Sequence, residues 1–448
     1  MPVKIRICNI TSRDDGDLGI PKIRRIDVSA LLTVIELHAH RIASLHVNLF
    51  STDARIFLDG LISPLPIIED ISFVVNQESE KPVDIISYTP ALLLGPSNLR
   101  RLHLVNAVIS WDSHLLHGLQ EVEIALPHST LDSEPGIPTL EMFLSFLKRS
   151  PELVWLSMNR SVPRLPPATS VLPDPIRLVT LQNLKFFSLT DSPLNIAYLL
   201  SHLALPHVEL IKLRAKMERR NRHGILDVLP KFNHKLSLSE SLWMVARINE
   251  VVIKTQNNGH FTIYVGGYDR VRSDQFPVLS FELEFPHDEY EADIDQPLRV
   301  LESIHSFGVV FADSPLTHLD LSCDFRDISL DDWRRLLLQY PSLTHLKFTS
   351  VGSYAGSALE ENERIVWALS VISGVLVCPD LQQLALHAFT MGDRSFGILR
   401  ECLETRAFAG APRLKKLIIC RVRWVFEGEY TSPNVSPFVD ELEYRPLA

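Results

Sequence analysis

Leu316-Thr317-His318-Leu319-Asp320-Leu321 and Leu343-Thr344-His345-Leu346-Lys347-Phe348 are two copies of one hexad. The pattern is L-x-x-L-x-L, with a large apolar residue at each L. Other clear copies are Leu99/Leu102/Leu104, Leu381/Leu384/Leu386 and Leu414/Leu417/Ile419. Good copies are Ile42/Leu45/Val47, Ile68/Ile71/Phe73, Leu119/Val122/Ile124, Leu153/Leu156/Met158, Leu184/Phe187/Leu189 and Val208/Ile211/Leu213. Ile248/Val251/Ile253 and Val278/Phe281/Leu283 are weaker. The thirteen first positions run from 42 to 414, twelve steps that average 31 residues.

One such hexad is weak evidence in a leucine-rich chain; thirteen in phase are strong. The last two apolar positions lie two apart, so they share one face of a short strand. Parallel strands need a crossover of a dozen or more residues, and many intervals carry a helical pattern of that length. Thr139 to Arg149 is one, with Thr139 as N-cap, and Ser329 to Tyr340 is another, capped by Ser329 and stopped by Pro341. Asn195 to Leu203 and Ser395 to Thr405 read the same way. Pro151, Pro206, Pro341, Pro379 and Pro412 each fall just before a hexad, where a proline ends the helix and admits a strand.

The fold class is therefore α/β: a leucine-rich-repeat solenoid, an irregular horseshoe with parallel strands on its concave face and helices on its convex face. Residues 1–41 supply a strand and helix that lead in, 42–427 the repeats, and 428–448 a poorly patterned tail. At roughly 150 residues per domain, 448 residues would suggest about three domains; the repeats make them one elongated domain instead. The best-known repeat of this class carries Asn or Cys at its ninth position. Here that position holds Asn76 but also Ala107, Ser161, Ser192, Val351, Phe389 and Val422, so no polar ladder can run through it. The middle is least regular: Asn258-Gly259 lies between Val251–Thr255 and His260–Val265, which predicts an inserted β-hairpin over 251–265. The acidic stretch His287 to Gln296, with Asp293 and Asp295, reads as a solvated loop.

Composition narrows the function. The formal net charge of −10 argues against a nucleic-acid partner, because phosphate contacts need a basic surface. The longest uncharged stretch, Ile365 to Pro379, is too short to span a bilayer. The N-terminus has no apolar signal core, and five scattered cysteines are not a disulfide framework; a cytoplasmic or nuclear protein is expected. Arg214, Lys216, Arg219, Arg220 and Arg222 form a basic run that reads as a solvated loop or an import signal. There is no G-x-G-x-x-G, phosphate-binding loop, H-E-x-x-H or G-x-S-x-G. His38, His40 and His46 cluster in sequence, but the first two point different ways on a helix. No catalytic, cofactor-binding or metal-binding residue is assigned, and no enzyme is expected.

Binding is expected on the strands. In an open solenoid the exposed strand positions build one surface that takes partners. The third hexad residues are, in order, Ser44, Asp70, Arg101, Glu121, Trp155, Phe186, Leu210, Glu250, Ser280, His318, His345, Gln383 and Lys416. Trp155, Phe186 and Leu210 fall consecutively, and acidic Glu121, Glu123 and Glu250 flank them. An apolar centre with a polar rim is how a hot spot is arranged, unless an N-terminal arm or the hairpin covers it.

Three stretches carry a family resemblance. Trp111-Asp112-Ser113-His114-Leu115-Leu116-His117-Gly118-Leu119 follows the Leu99 hexad, Phe57 to Pro66 leads into the Ile68 hexad, and Leu199 to Leu203 then Pro206 leads into the Val208 hexad. Together these resemble the leucine-rich-repeat region of the large F-box protein family of mushroom-forming fungi, over nearly the whole chain. The resemblance implies a substrate-recruiting part of an adaptor of an SCF ubiquitin ligase. In that family an F-box upstream of the repeats binds a Skp-type adaptor. The chain opens instead on the strand-like Val3 to Ile10, so a Skp-type partner is expected only if an F-box precedes it. The alternative is a scaffold or regulatory repeat protein with no link to ubiquitin.

Overall fold

The structure is a computed structural model that describes residues 1–8, 10–12, 22–24, 27–76, 86–87, 98–108, 110–126, 137–165, 178–217, 224–229, 242–257, 261–271, 276–285, 292–325, 328–351, 358–371, 374–391, 393–424 and 435–446. The fold is mixed α/β, dominated by parallel strands with helices between them. It forms two compact units, Met1–Ile211 and Lys212–Ala448.

In the first unit seven strands follow one another in chain order, all parallel: β1 (Val3–Cys8), β2 (Ile42–Phe50), β3 (Asp70–Asn76), β4 (Arg101–Val105), β5 (Glu121–Ala125), β6 (Trp155–Asn159) and β7 (Phe186–Asp191). The apolar hexad positions run in register. Leu45, Ile71, Leu102, Val122, Leu156 and Phe187 are successive partners, as are Val47, Phe73, Leu104, Ile124, Met158 and Leu189. Every one of them is buried. At about 1.5–3 kcal/mol for each such side chain taken out of water, these two rows are the main stabilising term.

Helices cover that face. Helix α1 (Val28–His38) is capped by Asp27, and α2 (Ser51–Gly60) sets Phe57 against Phe73 of β3, ring centroids 6.0 Å apart. Helix α3 (Leu140–Arg149) starts at Thr139, whose hydroxyl accepts from Met142 N–H at 3.2 Å. Helix α4 (Pro193–Leu200) starts at Ser192 with proline in its first turn. The segment Trp111 to Gly118 grips the end of α3. Arg149 donates to His117 Nε2 at 2.6 Å and to the Trp111 carbonyl at 3.1 Å, Ser150 Oγ donates to the Leu116 carbonyl at 2.8 Å, and Gly118 N–H donates to the Arg149 carbonyl. Trp111 itself is buried edge-on to Phe143 and Phe146.

Strand β8 (Leu210–Lys216) carries the chain into the second unit. There β9 (Glu250–Asn257) and β10 (Phe261–Tyr268) form the antiparallel pair read from the sequence, although Asn258 and Gly259 lie outside the described residues. The order that follows differs from simple stacking. Strand β11 (Leu279–Phe285) returns antiparallel to β10, and Met217 N–H donates to the Glu284 carbonyl. Strand β9, not β11, pairs with β12 (His318–Cys323). The weak Val278 hexad therefore does form a strand, but two places away from where a sequential stack would put it. A hairpin reverses direction, so the third strand must emerge beyond it. Parallel order then resumes through β13 (His345–Ser350), β14 (Gln383–His387), β15 (Leu414–Trp424) and β16 (Val439–Pro446).

Three expectations change here. Strand β16 occupies the segment read as an unpatterned tail: Val439, Leu442 and Tyr444 are a hexad whose last position is aromatic, and Leu442 pairs with Leu417. The acidic stretch read as a loop enters helix α5 (Ala292–Val310), whose range includes positions 293 and 295. The basic run is also no loop where it is described. Arg214 and Lys216 lie in β8, and Arg214 pairs with Glu282 at 2.5 Å and Glu284 at 3.6 Å; Arg219, Arg220 and Arg222 lie outside the described residues. Helices α6 (Leu330–Gln339), α7 (Ala358–Ala368) and α8 (Asp393–Phe408) complete the unit. Helix α6 begins with a reciprocal cap between Ser329 and Asp332 and buries Trp333 edge-on to Phe348 of β13.

Backbone bonds replace the missing polar ladder. At most strand entries two successive amides donate to one carbonyl of the preceding repeat. Arg100 and Arg101 donate to Glu69, Gln120 and Glu121 to Arg100, Val154 and Trp155 to Gln120, and Lys185 and Phe186 to Val154. In the second unit Thr317 and His318 donate to Asn249, and Thr344 and His345 to Thr317. At the other strand end Asn106, Arg160 and Ala388, the eighth residues of their repeats, turn into the left-handed region at φ 54°, 57° and 57°. Their amides reach the Ala125, Thr190 and Cys420 carbonyls. Side chains add to these closures in some repeats only: Asn106 Nδ2 donates to the Val75 carbonyl at 2.9 Å, and Ser161 Oγ, at a ninth position, donates to the Ile124 carbonyl at 3.0 Å.

Candidate partner-recognition face

The face of each strand opposite the apolar rows carries the third and fifth hexad residues. In the first unit the third residues form one row: Ser44 pairs with Asp70, Asp70 with Arg101, Arg101 with Glu121, Glu121 with Trp155, and Trp155 with Phe186. Leu210 enters next, its amide donating to the Lys185 carbonyl. Trp155 is 40% exposed, while Phe186 and Leu210 are half-buried. The rings of Trp155 and Phe186 stack with centroids 3.5 Å apart and planes 12° apart.

Beside the stack lies an open cavity of about 380 Å³. Leu102 and Val122 lie beneath it, and Trp155, Glu121, Glu123, His103, Arg101 and Asp70 surround it. Arg101 donates to Asp70 at 3.2 Å, and Ser44 Oγ donates to the same carboxylate at 3.3 Å. Glu123 stands 3.7 Å from His103 Nε2, and Ser72 bonds His103 Nδ1 at 3.0 Å. Neither Ser-His-carboxylate set has the relay geometry of a nucleophilic site. Ser44 and Asp70 both approach Nε2 of His46, and the Glu123 distance exceeds a hydrogen bond.

The second unit presents a more polar row of Glu250, His318, His345, Gln383, Lys416 and Glu441. Glu250 accepts from both Nε and Nη2 of Arg270, and Lys416 bonds Glu441 and Glu443 at 2.8 and 3.0 Å. Of the six residues expected to make a binding patch, the structure brings five together in the first unit: Trp155, Phe186, Leu210, Glu121 and Glu123. The sixth, Glu250, occupies the matching row of the second unit.

His318 and His345 stack at 4.0 Å. That contact was not read from the sequence, although the repeated Leu-Thr-His-Leu held its signal. Of the histidines considered for a metal, His38 ends α1, His40 lies in the turn after it, and His46 sits on β2. Among the described residues no group of three or more metal-ligating side chains converges, and no helix is long and apolar enough to cross a membrane. No protein-family model matches the chain, and no curated protein matches it.

Proposed function

We propose that the chain is a leucine-rich-repeat solenoid that recognises protein through its strand face, as the substrate-recruiting part of an F-box-type adaptor of an SCF ubiquitin ligase. The observation that carries the recognition reading is the stacked pair of exposed Trp155 and half-buried Phe186, held on the strand face opposite the core. Large rigid aromatics with a charged surround are the side chains that dominate binding energy at protein interfaces. The two registered apolar rows support the solenoid, because each repeat buries its strand against its neighbours. The ligase assignment rests on the family resemblance of Phe57–Pro66, Trp111–Leu119 and Leu199–Pro206.

Quantitative affinity capture with the wild type and with a Trp155→Ala plus Phe186→Ala variant tests the face. If every captured protein is retained equally by both, the patch is not the site. Pull-down with a Skp-type adaptor tests the ligase assignment. This chain by itself is expected not to bind, and the chain joined to an in-frame upstream F-box is expected to bind. Absence of such an F-box in the gene would favour a ubiquitin-independent scaffold.

A further inference from the structure

We infer that the cavity beside Trp155 receives an arginine side chain of the bound protein. The inference rests on the strand face being a protein-recognition surface and names the chemistry that surface selects. One face of the Trp155 indole is covered by Phe186, and Trp155 also lines the cavity, one strand from Glu121. Glu123 lies two residues further along the same strand, hence on the same side as Glu121. Both are exposed.

The charges in the cavity do not cancel. Asp70, Glu121 and Glu123 supply three carboxylates, and Arg101 supplies one guanidinium, which is already bonded to Asp70. His103, the ion-pair partner of Glu123, compensates it only when protonated. With His103 neutral, Glu121 and Glu123 are two carboxylates beside the indole with no cation bonded to either among the described residues.

A cation over an indole is attracted by the ring's negative face, and the attraction grows as water is excluded. Neighbouring strands are about 4.8 Å apart, so a flat head group lying on Trp155 comes within reach of the Glu121 row. Guanidinium suits this better than ammonium. It is planar, stacks on an aromatic ring and presents paired donors to a carboxylate, whereas ammonium is a compact, strongly hydrated charge.

The test uses the full chain and a random peptide library displayed on phage. Peptides that bind wild type and lose binding to the folded Trp155→Ala variant are resynthesised. Each arginine is then replaced by citrulline, which keeps the shape and removes the charge, and by lysine. The expected result is that one citrulline replacement weakens binding at least tenfold, that lysine at the same place is intermediate, and that Glu121→Gln plus Glu123→Gln on the protein reproduces the loss. Those glutamines sit on exposed positions and leave the apolar rows untouched. Trp155-dependent peptides with no essential basic residue, or with affinity unchanged by the glutamine pair, would overturn the arginine pocket while leaving the recognition face standing. If no selected peptide depends on Trp155 or Phe186, the face and the pocket fall together.

Discussion

His318 and His345 lie face to face on adjacent parallel strands, ring centroids 4.0 Å apart and planes 11° apart. Each ring is held by the threonine before it. Thr317 and Thr344 donate their hydroxyl protons to the Asn249 and Thr317 carbonyls, so each hydroxyl oxygen accepts from the Nδ1–H of its histidine at 2.8 or 2.9 Å. That arrangement favours the Nδ1–H tautomer of both imidazoles, which makes Nε2 the acceptor nitrogen. Burial, and then the neighbouring ring and Arg270, lower the pKa of His318 to about 4. His345 is lowered by burial first and then by Arg270 and Lys415, with Glu250 opposing in both cases.

The sign of the pH dependence follows. An unfolded histidine takes a proton near pH 6.5, while folded His318 resists until about pH 4. Between those values the unfolded chain binds more protons, so stability is lost as pH falls through that window. The expected result is a thermal midpoint that declines from pH 6.5 toward 4, and a shallower decline for His318→Gln. An NMR titration of the His318 ring that finds a midpoint near 6.5 would contradict the packing argument.

Thiol chemistry separates one cysteine from four. Cys8 is exposed, whereas Cys323, Cys378, Cys402 and Cys420 are buried, and all five are free. Burial raises the Cys323 thiol well above its ordinary range and pushes Cys378 and Cys402 up to about 12. Since the thiolate is the reactive form, an aromatic disulfide reagent at pH 8 should titrate about one thiol rapidly in native protein and all five in denaturant. Cys8→Ser should abolish the rapid phase.

The grip on the end of α3 can be tested at a single glycine. Gly118 adopts φ +69° and donates its amide to Arg149, and nothing lies within 4 Å of where a Cβ would stand. Gly118→Ala therefore meets no steric clash and should cost only the left-handed penalty, about 1 kcal/mol. Arg149→Ala should cost more, about 2 kcal/mol, because it removes two hydrogen bonds, to the Trp111 carbonyl and to His117. Equilibrium urea unfolding of both variants checks the ranking.

How far the sequence could be read depends on what each feature needs. The rows through Leu319 and Leu346, or Leu102 and Val122, need only large apolar side chains at fixed spacing, and that requirement is visible in every repeat. The row through Glu121, Trp155 and Phe186 follows from the same spacing. The stacking of the two rings and the cavity beside them depend on side-chain rotamers, which a hexad does not encode. Strand β11 was legible as a strand, but its neighbour was not, because apolar alternation is the same whichever strand lies beside it. Strand β16 escaped because its hexad is weak: Leu442 stays 36% exposed and Tyr444 stands where leucine usually does. The left-handed closures at Asn106, Arg160 and Ala388 share a backbone position and no residue type, and only asparagine among them favours that conformation.

Arg406 supplies the largest single-residue prediction for stability. It is 4% exposed on α8 and has no carboxylate partner among its hydrogen bonds. Its guanidinium donates to the Leu369 and Cys378 carbonyls at 2.9 Å and to the Val377 carbonyl, tying together the chain between α7 and β14. Cys378 is itself held at φ +46° in that segment. Burial lowers the arginine pKa, yet three carbonyl acceptors offset the cost of desolvating the charge. Arg406→Leu fills the volume but strands those acceptors, and a buried orphan group costs about 1–3 kcal/mol. Arg406→Lys keeps the charge but cannot reach three diverging carbonyls with a rigid fork. Both variants should lower the unfolding free energy measured in urea, Arg406→Leu by about 3 kcal/mol or more. Hydrogen exchange should locate the loosening at residues 369–378. Global destabilisation without added exchange there would mean that the three bonds are not what holds that segment.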